Sequence, residues 1–167
     1  MGRLIYDLQY MSYHHPFLVK AFEVAKQSMD KGNLPFGCIL TGPDGTILIE
    51  GENTVVTDNN AIAHCEINLV NQLAGKFDAD FLQQCTLYAT TEPCPMCAGA
   101  IFWSGIGHLV YALSKESFHA IAGTQNLAHI LDMKAGELLG RGGRTVSILG
   151  PVMEEEAKSI YKEWLGQ

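Results

Sequence analysis

Two pairs of residues in this chain have the types and the spacing of a metal centre. His64 and Glu66 stand two positions apart, and Cys94 and Cys97 form a Cys-x-x-Cys pair. Imidazole and thiolate are the usual ligands of zinc, and three protein ligands leave a fourth position for water. His64, Cys94 and Cys97 therefore predict a catalytic zinc site, with Glu66 as the residue that moves protons.

The geometry of helices restricts where these pairs can lie. Side chains two positions apart in mid-helix point to nearly opposite sides, so His64 and Glu66 can share a site only at a helix N-terminus. Hydrophobic spacing predicts helices over residues 61–73 and 95–103, which places both pairs at N-terminal ends. Two helix N-termini favour the negative charge of the site and lower thiol pKa values. Zinc there would activate water at neutral pH.

The remaining elements follow from periodicity and turn residues. Helices are predicted over residues 16–31 and 153–165, a hairpin of strands over 36–41 and 46–51, a loop over 53–60, and strands over 86–91, 108–113 and 145–149. Strands separated by helices need crossover connections, which predicts one α/β domain over residues 1–167 with a largely parallel sheet. Residues 114–143 contain one or two helices that the pattern does not place.

The motifs resemble those of a known family. His64-x-Glu66 followed by Pro93-Cys94-x-x-Cys97 matches the zinc signature of base deaminases. Residues 34–37, 51–53, 63–66 and 91–100 extend the likeness, which runs from about residue 16 to residue 111. The chain resembles the cytidine/deoxycytidylate deaminase-like superfamily. Within it, the chain looks most like the branch of guanine deaminases, tRNA adenosine deaminases and fungal-type cytosine deaminases.

The resemblance implies a fold, a cofactor and a reaction. The fold is a three-layer α/β/α sandwich around a mostly parallel five-stranded sheet, often in a homodimer. The cofactor is Zn²⁺, and zinc-activated water attacks the ring carbon that bears the amino group. Glu66 protonates the ring nitrogen and then the departing ammonia. Asn53 matches the asparagine that hydrogen-bonds the substrate, with a simple loop or turn role as the alternative.

Other residues are candidate substrate contacts. Phe36 and Trp103 could stack on a flat heterocycle, with core packing as an equal alternative. Ala63 precedes the metal-binding histidine, and His119 lies near where the family closes its pocket, although a core or surface role stays open for it. Glu116 could bind a substrate amino group if its loop is shifted by one residue.

Charge bears on the class of substrate. The net charge is −7, and the 11 basic residues form no cluster, whereas nucleic-acid binding uses clustered Lys and Arg. The last helix begins with three glutamates, unlike the basic C-terminal helix usual in tRNA adenosine deaminases. Residues 98–103 look more like the pattern of guanine deaminases than like that of tRNA adenosine deaminases. A small guanine-like purine is therefore favoured over tRNA adenosine, and cytosine, nucleosides and related amino-heterocycles remain alternatives.

Cysteine count and hydropathy set further expectations. Five cysteines fit a disulfide framework poorly, which favours a reducing cytoplasmic setting with Cys38, Cys65 and Cys85 as buried apolar residues. The first 13 residues do not have the form of a secretory signal. The chain also contains no apolar run long enough to span a membrane. A thioredoxin-type redox motif and a non-catalytic zinc module are the alternatives to an enzyme.

Overall fold

The computed structural model describes residues 2–123 and 130–166, with side chains from residue 12 onward. In chain order the described elements are α1 (Gly2–Asp30), β1 (Gly37–Thr41), β2 (Ile47–Glu52), α2 (Cys65–Asn71), α3 (Ala79–Leu82), β3 (Thr86–Thr91), α4 (Pro95–Ser104), β4 (His108–Leu113), α5 (Lys115–Ala122), α6 (Ala135–Leu139), β5 (Ser147–Leu149) and α7 (Glu154–Trp164).

The five strands form one sheet in the order β2-β1-β3-β4-β5. β1 is antiparallel to both of its neighbours, and β3, β4 and β5 are mutually parallel. Four strands therefore run in one direction and β1 alone runs against them. As a result, the start of β1 lies at the same edge of the sheet as the carboxyl ends of β2, β3 and β4.

Successive side chains of a strand point to opposite faces of the sheet, and a separate hydrophobic core packs on each face. Leu40, Leu87 and Leu109 pack on one face with residues of α2, α4 and α6. On the other face, their neighbours Ile39, Tyr88 and Val110 pack with residues of α1, α5 and α7. This arrangement confirms the expected three-layer α/β/α sandwich around a mostly parallel sheet.

Glycine allows the first helix to lie directly on the sheet. A Cβ atom added at Gly37 would stand 2.4 Å from the backbone nitrogen of Ala25 and 2.5 Å from the carbonyl of Ala21. Only a residue without a side chain fits such a contact between backbones. The close packing of α1 on β1 fixes the position of Phe36, the residue that precedes β1.

Several boundaries differ from the sequence-based expectations. α1 begins at Gly2 rather than at residue 16, so Pro16 lies inside the helix, where it removes one backbone hydrogen bond. α2 begins at Cys65 rather than at residue 61, because a turn precedes it: the carbonyl of Asn60 accepts the N–H of Ala63, and its side chain accepts the N–H of Ile62.

The elements that sequence reasoning left unplaced are short. α5 and α6 lie within residues 114–143, the short helix α3 was not expected, and β5 starts at Ser147 rather than at residue 145. Among the described residues, no helix combines the length and the apolar character that crossing a membrane requires.

Candidate active site

The three predicted metal ligands come together at the N-terminal ends of two helices. His64 is the N-cap of α2, Cys94 is the N-cap of α4, and Cys97 lies in the first turn of α4. Their ligand atoms all lie within 4.8 Å of one another. His64 Nδ1 is 3.7 Å from the Sγ atom of Cys94 and 3.6 Å from that of Cys97.

These separations match a tetrahedral zinc site. Bond lengths of about 2.3 Å to sulfur and about 2.0 Å to nitrogen put the nitrogen and sulfur ligands about 3.5 Å apart. The donor set of one imidazole and two thiols is also one that zinc prefers over magnesium or calcium. The residues present therefore fit zinc, and they leave one coordination position for a non-protein ligand.

The electrostatics of the three ligands favour a thiolate. The hydrogen bond from Cys97, together with that from His64, lowers the pKa of Cys94 to about 4. The hydrogen bond to Cys94 in turn raises the pKa of Cys97, so the pair retains one proton. The hydrogen bond to Cys94 also raises the pKa of His64. A metal ion that binds here displaces the remaining protons.

Glu66 lies in the first turn of α2 and is only 6% exposed. Burial raises the pKa of its carboxyl group, which favours a group that can hold and release a proton. The thiol of Cys65 donates a hydrogen bond to Oε2 of Glu66 over 3.2 Å. Burial raises the pKa of Cys65 well above its ordinary value, so this thiol stays protonated as a donor.

A cavity of about 430 Å³ opens over these groups. Its position follows from the sheet, because Phe36 precedes β1, Asn53 follows β2, Glu92 follows β3 and Lys115 lies just beyond β4. The residues that line it include Phe36, Asn53, His64, Glu66, Thr91, Glu92, Cys94, Lys115, Phe118, His119, Ile130 and Leu131.

Asn53 lines the cavity with its amide group in a fixed orientation. The residue is 1% exposed, and its Oδ1 accepts the N–H of Val55 over 3.1 Å. That bond identifies the oxygen and leaves Nδ2 as the donor. Nδ2 makes no hydrogen bond with the residues that the structure describes, so it is available to a ligand in the cavity.

The structure brings two more of the expected contacts to the cavity and adds a third. Phe36 and His119 both line it. Phe118, the residue before His119, lies there too, with its ring 4.9 Å from that of Phe36 at an interplanar angle of 62°. These two rings form an aromatic wall of the cavity.

Three expected contacts do not line the cavity. Trp103 is 85% exposed near the far end of α4, about 13 Å along the helix from Cys94. The side chain of Glu116 pairs with exposed Lys134 over 3.1 Å. The backbone of Ala63 donates its N–H to the carbonyl of Asn60.

Helical spacing explains the position of Glu116. Lys115, Phe118 and His119 occupy one face of α5 at intervals of three and four residues, and that face lines the cavity. Glu116 falls off that face. Glu92 and Lys115 were missed in the sequence because nothing local marks either one as buried, although both are less than 10% exposed.

A three-layer α/β/α domain with a His-Cys-Cys centre and a buried glutamate at two helix N-termini defines the class of zinc-dependent base deaminases. The family model described as "Cytidine and deoxycytidylate deaminase zinc-binding region" matches residues 11–113. The chain belongs to this family, and it is a deaminase, a hydrolase acting on C–N bonds.

Relatives and solved structures agree with this assignment. A probable cytosine deaminase of Schizosaccharomyces pombe is 36% identical over 87% of this chain and 88% of its own. A tRNA-specific adenosine deaminase of Streptococcus pyogenes is 34% identical over 75% of both chains.

Two guanine deaminases are similar in structure. The protein of Nitrosomonas europaea has a TM-score of 0.71 at 23% identity, over 90% of this chain and 84% of its own. The guanine deaminase of Bacillus subtilis has a TM-score of 0.59 at 29% identity, over 92% of this chain and 94% of its own.

Proposed function

We propose that the protein is a zinc-dependent hydrolytic deaminase of a free nucleobase or related amino-heterocycle, with a guanine-like purine favoured, and that it releases ammonia. The observation that carries the proposal is the buried carboxyl group of Glu66 beside His64, Cys94 and Cys97 under one cavity. Zinc, when bound, supplies a Lewis acid that lowers the pKa of a water molecule to about 7.

The residues of the chain supply the rest of the chemistry. Glu66 takes up one proton from the attacking water and delivers it to the ring nitrogen. It then takes the remaining proton of the hydroxyl group added to the ring carbon, which becomes a carbonyl, and delivers it to the amino group that leaves as ammonia. Its burial supports this role, because few water molecules compete for the proton. The thiol of Cys65 holds Oε2 and thereby restricts the orientation of the carboxyl group.

Asn53 and the aromatic wall bind and orient the ring. Nδ2 of Asn53 donates to an acceptor of the base, such as a ring nitrogen or a carbonyl oxygen. Phe36 and Phe118 pack against the heterocycle, and contacts of a base with aromatic rings are worth about 1–3 kcal/mol each. The proposed roles place the amino group to be removed at Glu66 and the remainder of the ring against this wall.

The size of the cavity and the charge of the chain support a small substrate. The cavity of about 430 Å³ falls in the usual size range of small-molecule sites. The net charge of −7 opposes binding to a polyanion. The similarity to the guanine deaminase of Bacillus subtilis, at 29% identity, supports a purine base.

Two other substrate classes are specific alternatives. The 36% identity to the probable cytosine deaminase of Schizosaccharomyces pombe favours cytosine. The 34% identity to a tRNA-specific adenosine deaminase favours adenosine in tRNA. Each alternative predicts turnover of a different molecule, so one assay separates them.

The deciding experiment measures ammonia release by the zinc-loaded protein from guanine, cytosine, adenine, their nucleosides, pterins, aminotriazines and tRNA. We expect turnover of guanine or a related free base. Glu66→Gln should reduce kcat by about 10²–10⁴-fold, because the amide cannot accept and return a proton. The variant should keep one zinc ion per chain, as measured by metal analysis.

Three outcomes would contradict the proposal. Turnover of tRNA alone would show that the substrate is adenosine in tRNA and not a free base. Full activity in Glu66→Gln would show that Glu66 takes no part in the proton transfers. A fully active protein without zinc would rule out the cofactor.

We also propose that the protein is a homodimer in a reducing, cytoplasmic compartment. Trp103 is 85% exposed, and aromatic residues are enriched at protein–protein interfaces, which supports an interface with a second copy. None of the five cysteines forms a disulfide bond, which supports the compartment. Light scattering should give the mass of a dimer for the protein and a smaller mass for Trp103→Glu.

A further inference from the structure

We propose that Glu92 is a positioning residue that holds one wall of the cavity in place. The catalytic part of this inference rests on the proposed function. Glu92 is 7% exposed and follows directly after β3, two residues before Cys94. Its own N–H donates to the carbonyl of Leu113 at the end of β4 over 2.8 Å, which fixes its backbone to the sheet.

The carboxylate of Glu92 joins the first residues of two helices to the end of β3. Oε1 accepts the N–H of Ala135, the first residue of α6, over 2.9 Å. Oε2 accepts the N–H of Lys115, the first residue of α5, over 3.4 Å. The first N–H groups of a helix lack partners within the helix and attract negative charge, so one buried carboxylate satisfies both ends.

Lys115 closes this set of contacts from the other side. Its ammonium group is nearly buried, donates to the carbonyl of Met133 over 3.0 Å and pairs with Asp132 over 3.1 Å. Residues 132–135 are thereby tied to α5 through the Lys115 side chain and to the sheet through Glu92. The charged groups of Glu92 and Lys115 are themselves buried, where hydrogen bonds are stronger than at the surface. Asp132 is 86% exposed, so its ion pair with Lys115 contributes little.

The anchored segments are those that shape the cavity opposite the metal ligands. α5 contributes Phe118 and His119, and the segment before α6 contributes Ile130 and Leu131. Leu131 is 71% exposed, so apolar burial alone does not hold it in place. α5 has a second anchor, because Ser114 and Ser117 donate to the carboxylate of Glu154. Residues 130–131 are therefore the part of this wall that depends most on the polar contacts of Glu92 and Lys115. Loss of the anchor should weaken substrate binding more than the chemical step.

A different role for Glu92 gives a different result. Because Glu92 is two residues from Cys94, it could instead support the metal ligands. That role predicts loss of zinc and of kcat. The positioning role predicts retained zinc, nearly unchanged kcat and a raised KM.

The first test is amide hydrogen exchange of the zinc-loaded protein, followed by NMR residue by residue. In the unaltered protein the amides of Ala135 and Lys115 should exchange slowly. In Glu92→Ala the exchange of Ala135 should accelerate by at least about tenfold, because a protected amide has lost its acceptor. The amide of Ala98, which donates to the carbonyl of Cys94 inside α4, should be unaffected and serves as the internal reference.

The second test is steady-state deamination of guanine by the same proteins. We expect KM to rise about tenfold in Glu92→Ala while kcat changes by less than about threefold, the pattern of lost binding rather than lost chemistry. Glu137→Ala is the matched control, because Glu137 lies in α6 and its side chain forms an exposed pair with Arg141. It should alter neither quantity.

The outcomes separate this inference from the proposed function. If the protein leaves guanine unchanged, the proposed substrate is wrong, and hydrogen exchange still decides whether Glu92 anchors the wall. If Glu92→Ala does not fold, Glu92→Gln replaces it, because the amide keeps its shape but can accept only one of the two bonds. Unchanged exchange of Ala135 in folded variants, or loss of zinc with unchanged KM, would overturn the inference.

Discussion

The two sides of the cavity are built in different ways. On the metal side, His64, Cys94 and Cys97 lie at the N-termini of α2 and α4, whose other residues pack into the same core. On the opposite side, α5 and residues 130–131 form a wall that is held by the polar contacts of Glu92 and Lys115. The reaction is thus encoded in short motifs, and the shape of the cavity in contacts between distant segments.

The largest expected effect lies on the metal side. Cys97→Ala removes one of three ligands, and because two ligands hold zinc poorly, we expect loss of bound zinc and of all measurable ammonia release. Cys85→Ala is the matched control, since Cys85 is equally buried but its thiol donates to the carbonyl of Phe81 away from the site. Metal analysis that finds full zinc in Cys97→Ala would refute the ligand assignment.

An intermediate effect is expected on the wall side. Phe118→Ala removes a ring that packs on Phe36, and we expect KM for the base to rise by roughly tenfold with little change in kcat or zinc content. Phe77→Ala removes a ring stacked on Phe81 outside the cavity lining and should leave KM unchanged. A fall in kcat without a change in KM would show that the wall takes part in the chemical step.

The smallest effect is expected just outside the wall. Glu116→Gln breaks an exposed ion pair with Lys134, and such pairs contribute little to stability. We therefore expect changes of less than about twofold in kcat and KM, because the side chain does not line the cavity. A large rise in KM for guanine but not for cytosine would instead show that Glu116 reaches the amino group of the purine.

The residues of the metal side could be predicted from the sequence because they lie in two short motifs, His64-x-Glu66 and Cys94-x-x-Cys97. His64 and Glu66 need a helix N-terminus, and the structure supplies one, although α2 begins four residues later than hydrophobic spacing indicated. The difference arises from the turn at Asn60, whose side chain and carbonyl hold the residues before the helix. Strands β3 and β4 were predicted with their observed bounds. Both lie inside the sheet, so the residues that point to either face are buried, and the strands are short apolar runs that are easy to recognise.

The wall side could not be predicted in the same way. Glu92 reaches backbone atoms 23 and 43 residues further along the chain, and no local pattern encodes contacts of that separation. α6 has five residues, too few for a helical period to show. Trp103 was a reasonable candidate for stacking by residue type, but the length of α4 places it away from the cavity.

The reversed direction of β1 has a consequence for the maturation of the enzyme. It brings the start of β1 to the edge where β2, β3 and β4 end, so the cavity combines Phe36, Asn53, Glu92 and Phe118 from across the chain. Contacts of such large sequence separation slow folding, because closing the intervening loops costs entropy. Cys94 and Cys97 are neighbours in the sequence, whereas the cavity exists only when β1, β2, β3 and β4 are assembled, so the ability to bind a substrate is tied to completion of the sheet.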